Sequence, residues 1–99
     1  MMFDVVFLPR AVKDIEEASD YYFSKNEELE EKFLMSIEKA VQNLKQTPFL
    51  QIRYNDYRYI TTKKFPYILV YHVDEKKKIV YVLSVFNTLQ NPTKQPDRK

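Results

Sequence analysis

The stretch that most constrains the fold runs from residue 67 to residue 86, where two apolar runs flank a short charged one. Residues 67–73 and 79–86 are both rich in β-branched and aromatic side chains, which favour strands. Residues 74–78, with the sequence DEKKK, are too polar to bury and have a length that suits a hairpin loop. The pattern therefore predicts a β-hairpin.

The alternation along these two strands defines two faces, and neither face is plainly polar. The residues expected to share one face within their strand are Tyr67, Leu69, Tyr71 and Val73 in the first strand, and Ile79, Tyr81, Leu83 and Val85 in the second. A strand that is apolar on both faces usually lies inside a sheet. We expect helices to cover one face, and we expect the other face to be partly covered or to meet a partner.

The remainder of the chain supplies those helices and further strands. Residues 3–8 form a short apolar run, and Pro9 suits the entry to a helix. Residues 11–23 carry an apolar stripe at helical spacing, and a capping box at residues 24–27 predicts the start of a second helix that ends at Thr47-Pro48. Residues 51–62 are typical of a strand or a broken pair of strands, with a turn or bulge at Asn55-Asp56.

These elements predict an α+β fold. An N-terminal strand precedes an antiparallel helical hairpin, which packs on a mostly antiparallel β-meander in the order β-α-α-β-β-β. We expect a single domain over residues 1–90 and a flexible tail over residues 91–99, where two prolines stand among polar residues.

Composition excludes several classes of function. The 99 residues contain no cysteine, which rules out disulfides and thiolate metal sites, and no glycine, which rules out glycine-rich phosphate loops. Positive φ angles are then expected at Asn26, Asn55 and Asp56. No apolar run is long enough for a membrane span, and we expect a cytoplasmic protein. We also expect neither a cofactor nor a metal. The net charge of +2 is lower than that of most dedicated nucleic-acid binders.

A basic and polar set is the first candidate site. Its members are Arg53, Arg58, Lys63, Lys64 and His72, with Tyr54, Tyr57, Tyr59, Tyr67 and Tyr71 nearby in the sequence. Guanidinium and ammonium groups bind phosphates, and tyrosine rings stack on bases, so the set can form an RNA-binding or RNA-cleaving face. The competing interpretation is that these charges protect a sheet edge from aggregation.

Two single residues are further candidates. His72 is the only histidine and has a side chain suited to acid–base chemistry, although its mid-strand position equally fits a structural role. Asn87 ends the last predicted strand, where it can either bind a substrate or form a turn.

Several fragments together resemble the RelE/ParE superfamily of type II toxin–antitoxin toxins. They cover residues 3 to about 92 and are Ala11-x-x-Asp14-Ile15, Tyr21-Tyr22, Leu44 with Pro48, Arg58 ahead of the basic pair, Phe65-Pro66-Tyr67-x-x-x-Tyr71-x-Val73, and Val85-Phe86-Asn87-Thr88. The resemblance implies a growth-inhibiting toxin of the kind associated with plasmid stabilisation. It also implies that a cognate antitoxin holds the toxin inactive, in a complex that can be a homo- or hetero-oligomer.

The resemblance allows two modes of action. RelE-like members cut mRNA in the ribosome, and ParE-like members poison DNA gyrase. Where many nucleases of the superfamily carry a histidine, this chain has Asn87, which cannot exchange a proton at neutral pH. This departure favours the ParE-like branch, with binding by Arg53, Arg58, Tyr59, Tyr71 and Asn87. The alternatives are a ribosome-dependent endoribonuclease, in which Arg58, Lys63, Lys64, His72 and Asn87 are catalytic, and a non-toxic antitoxin-binding remnant.

Overall fold

The computed structural model describes residues 2–50, 52–54 and 57–89, with residues 50 and 52–54 described at the level of the backbone. The elements follow the order β1 (Asp4–Phe7), α1 (Pro9–Lys25), α2 (Glu27–Gln46), a one-turn 3-10 helix (Pro48–Leu50), β2 (Ile52–Tyr54), β3 (Tyr57–Thr61), β4 (Tyr67–Asp74) and β5 (Ile79–Asn87). The predicted α+β fold is confirmed. The tail predicted at residues 91–99 and the turn at Asn55-Asp56 lie outside the described residues.

The two helices form a hairpin with a single residue between them. Pro9 occupies the first turn of α1, where its missing N–H costs nothing, and α1 ends at Lys25. Asn26 closes α1 with its backbone and starts α2 with its side chain, which accepts a hydrogen bond from the Glu28 N–H at 2.7 Å. The predicted capping box is wrong in its residues, because Asn26 is the N-cap of α2 and the Ser24 hydroxyl donates back to the Tyr21 carbonyl.

The five strands form one sheet in the order β1-β5-β4-β3-β2. The strands from β2 to β5 pair with their sequence neighbours in antiparallel fashion, as the meander predicted. The first strand, whose position the sequence left open, lies at the edge and pairs in parallel with β5. The chain therefore brings its first and last described strands together.

A β-bulge in β5 changes which side chains point inward. Val70 pairs with Ser84 and Tyr71 pairs with Val82, so β5 has one extra residue, Leu83, at this point. Val85 consequently lies in the core with Val80 and Val82, and the predicted grouping of Val85 with Tyr81 is wrong. The bulge thus places Ser84 and Phe86 on the same face as Tyr81.

The core lies between this sheet and the helical hairpin. Helix residues with 6% exposure or less face inward from both helices, and they are Ala11, Ala18, Phe33, Ile37, Ala40 and Leu44. They meet the buried strand residues Ile60, Tyr67, Leu69, Tyr71, Val80, Val82 and Val85. Burying such a set supplies most of the driving force for folding, at about 25 cal/mol per Å² of apolar surface.

The opposite face of the sheet is covered by no element that the structure describes. Its half-buried or exposed residues include Val6 on β1, Ile68 and His72 on β4, and Tyr81 and Phe86 on β5. We call this surface the open face. Its apolar character explains why the sequence shows strands that are apolar on both sides.

Without glycine, two lysines adopt the left-handed backbone conformation. Among the described residues, the non-glycine positive φ angles are 72° at Lys64 and 58° at Lys78. The expectation for Asn26 is wrong, because its φ of −172° is ordinary extended backbone. Both lysines follow polar residues in turns between strands, where a left-handed residue reverses the chain.

Candidate functional site

The predicted site residues divide between two ends of the sheet. Arg58 and His72 lie toward the β4–β5 turn, whereas Asn87 and the Lys63-Lys64 pair lie toward the β3–β4 loop. Asn87 pairs with Tyr67, which is five residues from His72 along β4. At about 3.3 Å per residue this separation is roughly 17 Å. The structure therefore does not bring the whole predicted set into one site.

A cleft occupies the end that contains Arg58 and His72. Its volume is about 630 Å³, and its lining residues are Leu8, Phe49, Tyr57, Arg58, His72, Val73, Glu75, Tyr81 and Leu83. This size falls within the roughly 300–1,000 Å³ of sites for small organic ligands. The cleft combines a cation, a carboxylate, an imidazole and two phenol rings, and it is the candidate site of the molecule.

Arg58 is held in the cleft by the segment that follows α2. Its Nη1 donates a hydrogen bond to the Phe49 carbonyl at 3.0 Å, and its guanidinium lies 5.3 Å from the centre of the Phe49 ring. The Phe49 ring in turn meets Phe3 edge-on at 5.8 Å. Because these contacts restrict the half-buried side chain, Arg58 presents its charge from a fixed position.

Tyr71, a predicted binding residue, lies in the core beneath Arg58. Its hydroxyl donates a hydrogen bond to the Pro48 carbonyl at 2.7 Å, and its side chain is 0% exposed. Burial raises the pKa of Tyr71 well above the ordinary value of a phenol, and the nearby charge of Arg58 offsets only part of this rise. A neutral, enclosed phenol anchors the 3-10 helix to the sheet and is poorly suited to proton transfer.

Asn87 takes part in local structure at the other end of the sheet. Its Nδ2 donates to the Tyr67 hydroxyl at 3.4 Å, and its Oδ1 accepts from the Leu89 N–H at 2.9 Å. Burial, followed by the charge of Tyr22, raises the pKa of Tyr67, and burial likewise raises that of Tyr22. The amide of Asn87 thus orders the end of β5 and gives the Tyr67 hydroxyl a hydrogen-bond donor.

The other predicted residues occupy varied positions. Lys63 and Lys64 are exposed in the β3–β4 loop, and Tyr59 is half-buried opposite Val70. The backbone of Arg53 pairs with that of Arg58, and its side chain lies outside the described residues. Tyr81 and Glu75, which the sequence did not single out, line the cleft because the hairpin register sets Tyr81 beside His72. The sequence alone could have indicated this pair, because counting residue pairs outward from the DEKKK turn sets Tyr81 opposite His72.

Neither a metal site nor a membrane span is found among the described residues. No group of three or more potential metal-ligating side chains gathers in the part of the chain that the structure describes. Within the same residues, neither helix is long and apolar enough to cross a bilayer.

Comparison by sequence identifies the family. The family model of the ParE toxin of type II toxin-antitoxin systems, parDE, matches residues 5–92. The chain therefore belongs to the ParE toxin family, and the resemblance to the RelE/ParE superfamily is confirmed. A comparison with curated protein sequences gives no match.

Three solved structures with the same fold are described as toxins or as parts of toxin–antitoxin systems. A chain of the chromosomal ParDE TA system from P. aeruginosa superposes with a TM-score of 0.73 at 19% identity, with 87% of this chain and 96% of that chain covered. The RelBE2 toxin-antitoxin complex from Mycobacterium tuberculosis gives 0.63 at 17% identity, with 88% and 99% covered. A mutant of the E. coli toxin RelE in the free state gives 0.61 at 22%, with 93% and 90% covered. Identities this low establish a shared fold.

Proposed function

We propose that this protein is a toxin that acts by binding DNA gyrase and is neutralised by a cognate antitoxin. The observation that carries the proposal is the match of the ParE toxin family over residues 5–92. The higher structural similarity to the ParDE chain than to the RelE chains, with TM-scores of 0.73 against 0.63 and 0.61, supports the same branch.

The antitoxin part of the proposal rests on the uncovered surface and on the structural relatives. The open face carries Val6, 40% exposed on β1, and Tyr57, 42% exposed on β3, so side chains on two separate strands of this face are available to a partner. The RelBE2 relative was solved as a toxin–antitoxin complex. We expect an antitoxin segment to cover part of the open face and to raise the thermal midpoint of the toxin by mass action.

The gyrase proposal is tested by a supercoiling assay with purified protein. We expect inhibition of supercoiling and accumulation of cleaved DNA, with translated mRNA left intact. The paired substitution Lys63→Gln and Lys64→Gln removes two exposed charges from the β3–β4 loop and is expected to weaken inhibition. The matched control, Lys76→Gln with Lys77→Gln, removes the same charge from the β4–β5 turn at the other end of β4. Supercoiling that continues at a large molar excess of toxin would contradict the proposal.

The endoribonuclease alternative is supported by one arrangement, the presence of Arg58 and His72 in the same cleft. A guanidinium can stabilise the charge of a phosphorane, and an imidazole can move a proton. Primer extension on translated mRNA tests this alternative directly. Cleavage in phase with codons that disappears in His72→Gln would establish a nuclease and would replace the gyrase proposal.

A further inference from the structure

The first strand, β1, has an outer edge that pairs with no strand the structure describes. The N–H groups of Asp4 and Leu8 each donate at 3.0 Å to carbonyls on the β5 side, so the even-numbered residues of β1 bond towards β5. Successive amides of a strand point to opposite sides, and the backbone groups of Val5 and Phe7 therefore point away from β5. No hydrogen bond joins these outer groups to another described residue.

The centre of β1 carries none of the features that usually prevent strand pairing. Natural edge strands are often protected by lysine, proline or a bulge, whereas Val5, Val6 and Phe7 are consecutive apolar residues. The opposite edge of the sheet differs, because β2 has Arg53 at its centre. Val6 is 40% exposed on the open face, and Val5 and Phe7 are half-buried. This edge therefore offers both free backbone groups and apolar side chains to another strand.

One antiparallel register with a second copy of β1 uses all of these free groups. In an antiparallel ladder the two residues of a hydrogen-bonded pair exchange both bonds, so Val5 of each copy pairs with Phe7 of the other and Val6 lies opposite Val6. A shift in one direction would pair Val5 with Pro9, which has no N–H. A shift in the other direction would pair Phe7 with Phe3, whose N–H already donates within its own chain.

The same register brings opposite charges together. Asp4 is exposed at the start of β1, and its carboxylate forms no hydrogen bond or ion pair with the residues that the structure describes. Arg10, just beyond the end of β1, has a side chain that is 75% exposed. Because the start of one antiparallel strand lies beside the end of the other, Asp4 of each copy lies near Arg10 of the other. The exposed Met2 and Val12, at 58% and 43%, are related in the same way.

We propose that two copies of this chain associate through the outer edges of β1, so that two five-stranded sheets join into one of ten strands. The arrangement has a two-fold axis between the two Val6 residues, and it closes after two copies because each copy uses the same edge. A strand of four residues makes a small contact, so the dimer dissociates on dilution. The association requires neither gyrase nor an antitoxin.

Sedimentation velocity of the purified protein, from low micromolar to submillimolar concentration, tests the association. We expect the average mass to rise from that of one chain towards that of two. Amide hydrogen exchange followed by NMR locates the contact. The amides of Val5 and Phe7 should exchange at least about tenfold more slowly at the highest concentration than at the lowest, because they become hydrogen-bonded. The amide of Val6 bonds towards β5 in both states and should change little.

Val6→Lys tests whether the two strands meet at this residue. The variant sets two lysines opposite each other, so the dimer should be weakened at least about fivefold by repulsion between like charges and by loss of the apolar pair. Leu34→Lys is the matched control, because Leu34 is 41% exposed on α2, and it should leave the dimer unchanged. Circular dichroism confirms that both variants are folded.

An exchange of charges tests the register. Asp4→Arg and Arg10→Glu should each weaken the dimer, since each variant places like charges side by side. The double variant places opposite charges together again and should recover the association. A double variant that dimerises no better than either single variant would overturn the proposed register.

Three further outcomes would overturn the proposal. These are a protein that stays monomeric at submillimolar concentration, a dimer that Val6→Lys leaves unchanged, and a monomer in which Val5 and Phe7 already exchange slowly. The last result would show that the edge is covered by the protein's own chain. The samples contain neither gyrase nor DNA, so none of these results decides the supercoiling test.

Discussion

At the scale of single residues, the carboxylate of Asp14 joins α1 to β5 across 71 residues of sequence. Its Oδ2 accepts a hydrogen bond from the Val85 N–H at 2.9 Å, and its Oδ1 accepts from Arg10 Nε at 3.2 Å. The Val85 N–H lies next to the bulge in β5, where the regular ladder is interrupted. Asp14 therefore accepts a hydrogen bond from a backbone N–H next to the bulge, and this bond fixes α1 against the sheet.

We expect Asp14→Ala to lower the free energy of unfolding by about 1–3 kcal/mol, because a partly buried N–H loses a charged acceptor. The ion pair with exposed Arg10 contributes little of this, since exposed pairs are worth about 1 kcal/mol or less. Urea denaturation measures the change. Glu16→Ala, an exposed position on the same helix, should stay within about 0.5 kcal/mol of the parent protein. An Asp14→Ala value as small as that of Glu16→Ala would show that the contact is not structural.

At the scale of elements, the hairpin depends on one residue that serves two helices. Asn26 donates its backbone N–H to the Tyr22 carbonyl at the end of α1, and its side chain caps α2. The Ser19 hydroxyl then donates to Glu30 across the two helices. With so short a junction, the helices can only run antiparallel, which places both apolar stripes on the same face of the sheet.

Asn26→Ala is expected to destabilise the protein by about 1 kcal/mol, because α2 loses its side-chain cap. Asn26→Asp should keep most of that stability, since a carboxylate accepts the same bond and also favours the positive end of the helix. Thermal unfolding followed by circular dichroism tests both variants. Asn43→Ala, an exposed position inside α2, serves as the control and should be neutral or slightly stabilising. Equal losses at Asn26 and Asn43 would argue against the capping role.

The elements that the sequence predicted correctly are those set by local patterns. The helical stripes, the entry at Pro9 and the stop at Thr47-Pro48 depend on neighbours within a few residues, so they were readable in advance. The bulge that turns Val85 inward and the parallel partner of β1 depend on residues far apart in the sequence, and no local signal encodes them.

The candidate site was predictable only in part, for the same reason. Arg58 and His72 were recognised as candidates from residue type, and the structure brings them to one cleft. Asn87 was grouped with them because it stands where many nucleases of the resembled superfamily carry a histidine, and the structure places it at the other end of the sheet. Glu75 was overlooked because a charged residue in a turn is usually exposed to solvent. Only the positions of the surrounding strands show that it lines a cleft.

At the scale of the whole molecule, buried and half-buried tyrosines connect the helices, the 3-10 helix and the sheet. Tyr22 packs edge-on against Phe65 at 5.1 Å and stacks near Phe33 at 5.2 Å, while Tyr71 bonds to Pro48. Burial raises the pKa of Tyr22, Tyr67 and Tyr71 above the ordinary value of 10.0. The folded protein therefore keeps protons that the unfolded chain loses in alkaline solution.

The free energy of unfolding should be level from pH 8 to about 9.5 and should fall above pH 10. The sign follows from linkage, because above pH 10 the unfolded chain binds fewer protons than the folded one, and stability then decreases as pH rises. Urea midpoints across this range test the prediction, with tyrosinate absorbance reporting ionisation. Tyr71→Phe removes one raised phenol, so its stability should fall less steeply above pH 10, even though it starts lower through loss of the Pro48 bond. An identical slope in the variant would contradict the assignment.

The parallel pairing of β1 with β5 has a consequence for biosynthesis. Val5 pairs with Val80, and Asp14 bonds to Val85 across 71 residues of sequence. A ribosome must therefore release nearly the whole described chain before these contacts can close, and contacts between distant residues slow folding. Until β5 has emerged, β1 has no strand to pair with, so the sheet and the anchor of α1 are completed late in the translation of the described residues.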